Sequence, residues 1–251
     1  MTTPALLTVS NLTKTFAGRE GAVTAVDNLS FSIGPGELVG FMGPNGAGKS
    51  TTMRILSGFL APDEGDAVIN GHSILKERLA AQKSLGYLAE HPALYEDLTP
   101  HEYLTFMAEA HNVPNIPAAI DVTSRLTRCH TFLHRSLADL SKGMRQRVFF
   151  AGALVHDPAV LILDEPTDGL DPNQKHEMRL VLKELARHKA VLVSTHILEE
   201  AEAICTRVIL IAGGKIVADD TPRNLAKHGK GDIQIAFRIL TQPQASTADR
   251  K

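Results

Sequence analysis

Leu38-Val39-Gly40-Phe41-Met42, followed without a break by Gly43-Pro44-Asn45-Gly46-Ala47-Gly48-Lys49-Ser50-Thr51, couples an apolar run to a glycine-rich turn. A run without polar alternation predicts a strand covered on both faces, as in a parallel sheet. The turn matches G-x-x-x-x-G-K-[ST], and Ser50 to Gly58 after it reads as a helix. In that context the glycines let backbone N–H groups converge on phosphates, Lys49 reaches the terminal phosphates, and the Ser50 hydroxyl ligates Mg²⁺. The segment predicts an α/β core carrying a phosphate site at the carboxyl edge of a strand.

Other runs of the same kind end in chemistry, where ligands of open α/β sheets bind. Val160 to Leu163 leads into Asp164-Glu165, two carboxylates that a buried strand does not carry without partners. Neighbours on a strand point to opposite faces, so one carboxylate can hold a metal shell while the other addresses a water. Val191 to Val193 leads through Ser194-Thr195 to His196, a donor expected at the same edge and suited to a γ-phosphate contact. Ser141 is a good N-cap for a helix carrying Met144, Val148, Ala151 and Val155, and that helix N-terminus is a second potential anion site.

Outward from these runs, Leu7 and Val9, Leu29, Phe31 and Ile33, and Val68 with Ile69 before Asn70-Gly71 read as half-exposed antiparallel strands. Met178, Val181, Leu182 and Leu185, and then Ile197, Ala201, Ile204 and Cys205, have helical spacing. Thr99, Pro100 and Glu102 predict a capping box opening a helix with an apolar stripe of Tyr103, Phe106, Met107 and Ala110. Val208 to Ile211, Gly213-Gly214 and Lys215 to Val217 read as a hairpin. Cys129, His130 and His134 invite a metal reading, but no fourth ligand is evident.

The balance of the 251 residues excludes several classes. With Lys plus Arg at 26 against Asp plus Glu at 28, the net charge of −2 gives no basic footprint for nucleic acid. Hydrophobic residues at 43% exclude wholesale disorder. Two cysteines make no disulfide framework and fit a reducing cytosol. The longest apolar stretches fall far short of the roughly 20 residues that span a bilayer, so membrane association is expected through a partner. The polar stretch Thr241 to Lys251 is expected to be a disordered tail.

Taken together, these motifs resemble the nucleotide-binding subunit of ATP-binding cassette transporters over about Leu6 to Phe237. Gly43 to Thr51 resembles Walker A, Leu140 to Gln146 the signature, Val160 to Asp164 Walker B with Glu165 as its catalytic carboxylate, Gly169-Leu170-Asp171 the D-loop, and His196 the switch histidine. The signature reads Ser-Lys-Gly-Met-Arg-Gln where Ser-Gly-Gly-Gln is commonest, so Lys142 is expected to add a cation near phosphate. Glu90 stands where the family often has Gln and remains able to ligate Mg²⁺ or a water; Phe16 stands where an aromatic ring stacks on adenine.

The resemblance implies one domain over residues 1–240: a P-loop NTPase core with a mostly parallel sheet, an N-terminal antiparallel β subdomain, and a helical signature subdomain over about 91–155. It implies an ATPase using ATP and Mg²⁺, with Lys49, Glu165 and His196 catalytic, Ser50, Glu90 and Asp164 toward the metal, and Phe16, Gly43 to Thr51, Glu90, Ser141, Gly143 and Asp171 on nucleotide. It further implies a head-to-tail dimer with a second copy or a homologous subunit, a separate membrane permease, a place on the cytoplasmic face of the membrane, and export, which Ser-Lys-Gly-Met-Arg-Gln-Arg and Glu90 suggest. The rival readings are a soluble cassette protein acting on DNA or ribosomes, which usually carries a long coiled-coil insertion or two cassettes, and a non-hydrolysing ATP sensor, which would be expected to lack one of Glu165, His196 or Lys49, all three of which are present.

Overall fold

The computed structural model describes residues 4–18, 21–93 and 95–242. In chain order, β1 (Leu7–Gly18) and β2 (Gly21–Ile33) precede the buried β3 (Leu38–Met42) and α1 (Lys49–Leu56). Then come β4 (Glu64–Ile69), β5 (His72–Ser73), α2 (Arg78–Lys83) and β6 (Leu85–Leu88). A helical segment follows, with α3 (Pro100–Ala110), α4 (Ile116–Leu126), two single-turn 3₁₀ helices and α5 (Lys142–Leu154). The chain returns through β7 (Val160–Asp164), α6 (Pro172–Ala186), β8 (Ala190–Ser194), α7 (Leu198–Ile204), the hairpin β9 (Arg207–Ala212) and β10 (Lys215–Asp220), α8 (Pro222–Lys227) and α9 (Ile233–Thr241).

These strands form two sheets: an antiparallel one ordered β2-β1-β4-β5, and a six-stranded one ordered β10-β9-β3-β8-β7-β6. In the second, every pairing except β9–β10 is parallel. The apolar runs lack alternation because both faces are covered. Leu161, Leu163, Val191 and Val193 enter the core under α5 and α6, while Val160, Ile162, Leu192 and Phe41 enter the core shared with α1 and the antiparallel sheet. In the antiparallel sheet Leu29, Phe31 and Ile33 are buried and Ser30 and Ser32 exposed, as the alternation required.

Register sets the functional edge. Phe41 of β3 and Asp164 of β7 both lie opposite Ser194 of β8, and Leu88 of β6 lies opposite Leu163. The residues that follow each strand therefore emerge side by side.

Two expectations are corrected. The α3 stripe is Tyr103, Leu104, Met107 and Ala108; Phe106 is 52% exposed and Ala110 is exposed, because the Tyr103 ring sets the contact edge-on against Phe149 of α5. A Cβ at Gly152 would run into that ring, so the close approach of α3 to α5 needs glycine there. Thr241 belongs to α9, whose apolar side packs on the core; the rest of the expected tail from residue 243 lies outside the described residues. Cys129 is buried at the end of α4 while His130 and His134 are exposed, His134 stacking on His101.

Candidate functional site

The loop Gly43 to Gly48 fills the gap between β3 and α1. Gly48 caps α1 at φ 103° with no side chain bonded to the first turn. The ladder opens with Thr52 N–H donating to Gly48 C=O at 2.9 Å, so the N–H groups of Lys49, Ser50 and Thr51 precede it and point out of the helix start. A Cβ at Gly48 would overlap the Ala25 carbonyl of β2, and one at Gly43 the Ile211 carbonyl of β9. Glycine is required at both places, and the result is a cradle of backbone donors at the positive end of a helix, which fits a polyphosphate. Lys49 Nζ donates to the carbonyls of Gly43 at 2.7 Å and Pro44 at 3.1 Å, curling over its own loop. Burial lowers the Lys49 pKa, against the opposing pull of Glu165, Asp164 and Glu90.

Asp164 ends β7 with only 4% exposure. Ser194 Oγ donates to its Oδ1 and accepts from Glu165 N–H at 3.0 Å, so one hydroxyl from β8 fixes both carboxylate-bearing residues. Burial pushes the Asp164 carboxyl up, countered by Ser194, Lys49 and Ser50. Ser50, in the first turn of α1, and Asp164, at the end of β7, are hard oxygen donors in mutual reach, a set that suits Mg²⁺ held by one or two protein groups plus substrate phosphates. Glu165 turns away with φ 48°, a left-handed conformation that costs a non-glycine residue on the order of 1–3 kcal/mol and is concentrated at functional sites. Its Oε1 lies 2.9 Å from Nδ1 of His196, and its side chain is 12% exposed. Burial raises the Glu165 pKa, with His196 opposing. A carboxylate moved toward neutrality, held by an imidazole, is equipped to take a proton from water.

Glu90 follows β6 at the same edge; it is exposed, and its charge is felt at Lys49 and Asp164. Phe16 pairs with Val23 across the β1–β2 hairpin, is 41% exposed, and lies 5.8 Å from the Lys14 ammonium. Ser141, Gly143 and Asp171 form a second cluster. Ser141 Oγ accepts from Met144 N–H at 3.3 Å and caps α5, Asp171 accepts from Gln174 N–H at 2.9 Å and caps α6, and a Cβ on Gly143 would overlap the Gln174 side chain. Gln146 Nε2 donates to the Pro166 carbonyl at 3.2 Å, joining this cluster to the loop after Glu165. The Lys142 ammonium pairs with Asp168 Oδ2 at 2.7 Å and lies across Gly169. Sequence reasoning missed Ser194, passed over on the way to His196, and Glu200, which no motif singled out.

The family model described as ABC transporter matches residues 26–168, a span that contains the phosphate loop, the Ser141 helix and Asp164-Glu165. YhcH of Bacillus subtilis (strain 168), an ABC transporter ATP-binding protein, is 40% identical over 84% of this chain and 68% of its own length. Nod factor export ATP-binding protein I of Paraburkholderia xenovorans (strain LB400) is 38% identical over 82% of this chain and 68% of its own. A solved dimeric ATP-binding cassette in a post-hydrolysis state, bound to ADP and Pi, superposes with a TM-score of 0.80 at 26% identity, covering 86% of this chain and 99% of that one. The chain belongs to the ABC transporter family, as an ATP-binding and ATP-hydrolysing subunit.

Proposed function

We propose that hydrolysis runs at the edge where β3, β7 and β8 end, with the residue roles that their positions favour. The N–H groups of Gly46 to Thr51 and the Lys49 ammonium bind the phosphates, His196 contacts the γ-phosphate, and Glu165 accepts a proton from the attacking water. Ser50 and Asp164, with Glu90 nearby, would hold Mg²⁺, which supplies neutralisation of charge on the phosphates. Phe16 stacks on the adenine. The observation that carries this reading is the 2.9 Å Glu165–His196 contact beside Lys49 and Asp164, since phosphoryl transfer asks of the protein mainly positioning and charge. Replacing Glu165 by Gln is expected to lower phosphate release by at least about 10²-fold while nucleotide binding persists, and to trap a dimer on size exclusion with ATP. An unchanged rate would overturn the assignment.

The same reading makes the working unit a head-to-tail dimer, in which Ser141 and Gly143 of one copy cap the nucleotide bound by the other; the dimeric relative supports it. Among the described residues no helix is long and apolar enough to cross a membrane, and the reading pairs the chain with separate membrane subunits. Exposed Phe59, beside Tyr87 of β6, and exposed Phe106, beside Tyr95 ahead of α3, offer those subunits apolar contacts on the cytoplasmic side. Export is the direction supported by the Nod factor relative.

A further inference from the structure

Glu200 lies in the first turn of α7, third in the helix, where a glutamate ordinarily folds back onto its own N-cap. Here the carboxylate is 4% exposed and turns inward instead. Its Oε2 accepts from Thr167 Oγ1 at 2.6 Å and from Thr195 Oγ1 at 3.4 Å. Its Oε1 faces two cations of α6, Lys175 at 3.2 Å and Arg179 at 3.4 Å, without a hydrogen bond of its own. Thr167 is two residues beyond Glu165, and Thr195 immediately precedes His196; Thr195 Oγ1 also accepts from Ile197 N–H at 3.0 Å. One oxygen thus gathers the two loops that carry the Glu165–His196 pair, and the other is held by the helix that follows the first of those loops.

A buried carboxylate is a poor source of stability. Desolvation cancels most of its attraction to Lys175 and Arg179, and an apolar replacement of the whole group often does as well. What such a network supplies is a fixed geometry, because every loop hydroxyl has a single buried acceptor to face. We propose that Glu200 is a positioning residue for hydrolysis: by binding Thr167 and Thr195 on one carboxylate oxygen it fixes the loops of Glu165 and His196 relative to each other. The inference rests on the roles proposed for those two residues.

The test uses the full chain, phosphate release and nucleotide binding. Glu200→Gln is expected to lower kcat by about 10- to 100-fold, as a displaced catalytic pair would, with KM and nucleotide affinity unchanged. Thr167→Val is expected to lower kcat in the wild-type background and to add little in the Glu200→Gln background. Should Glu200→Gln fail to fold because Lys175 and Arg179 are left unpaired, Thr167→Val/Thr195→Val decides, since it keeps both ion pairs and removes only the loop hydroxyls. Wild-type kcat in whichever of these variants folds overturns the inference, as does a loss in which kcat, KM and melting temperature move together. Glu165→Gln run alongside separates the two levels: inactive Glu165→Gln with fully active Glu200→Gln removes only the positioning role, whereas active Glu165→Gln removes the catalytic reading and the inference with it.

Discussion

Lys142 is the first residue of α5 after its Ser141 cap, where the positive end of the helix disfavours a cation. Asp168 offsets that, and the lysine in turn holds the Asp168 carboxyl below its usual pKa. The two side chains are 62% and 52% exposed, so water screens the pair. A double-mutant cycle of Lys142→Met and Asp168→Asn, read by urea unfolding, is expected to give a coupling below about 1 kcal/mol that fades in high salt. A coupling of several kcal/mol would contradict a solvent-screened contact. The lysine's partner was not legible in the sequence, because the pair is 26 residues apart and depends on how the α5 start meets the loop after β7. The same holds for Ser194 with Asp164, 30 apart, and Glu200 with Thr167, 33 apart. The places of Asp164, Glu165 and His196 were legible, since each lies within three residues of the end of a buried run visible in the sequence, and that of Lys49 from the glycine-rich pattern that follows such a run.

At the scale of elements, local chemistry was read where it is local. The Thr99 cap of α3 is present in both halves: Thr99 Oγ1 accepts from Glu102 N–H at 3.3 Å, and Thr99 N–H donates back to Glu102 at 2.8 Å. Replacing Thr99 by Ala removes the hydroxyl that satisfies a first-turn donor, and is expected to lower stability by about 1 kcal/mol in denaturant unfolding. The cap lies in the helical segment, away from the phosphate loop, so ATP binding should be unchanged; a matching fall in nucleotide affinity would show α3 to be coupled to the loop. The stripe of the same helix was misread by one position in each turn, because spacing alone admits either Phe106 or Leu104 and only the partner helix chooses. Gly152 makes that choice by letting Tyr103 settle against α5.

For the whole molecule, the parallel core followed from three unalternating runs, but the place of β6 at the sheet edge did not. Leu85–Leu88 is four residues long and includes Gly86, whose missing side chain admits the Ala153 carbonyl of α5. That contact begins a junction at the opposite edge from the phosphate loop, where His156, just beyond α5, stacks on His111 at the end of α3 with ring centroids 3.6 Å apart. Nε2 of His156 is 3.0 Å from the Leu85 carbonyl, which can only accept, so Nε2 carries the hydrogen and the buried Nδ1 is left without a partner. Burial, with His111 beside it, lowers the His156 pKa to about 4, and burial lowers His111 as well; Lys189 pulls His156 the same way and Asp157 opposes. A folded pKa below the unfolded value of 6.5 means that the unfolded chain binds the proton first. The stabilising effect of the neutral ring is complete above that value, and is lost as pH falls from about 6.5 through about 4, by up to roughly 3 kcal/mol. Carboxylates contribute to acid unfolding too, so the quantity to read is a difference. Urea midpoints measured between neutral pH and the acid limit should fall more steeply for the wild type than for His156→Gln, and parallel slopes would show that the junction takes up its proton without strain.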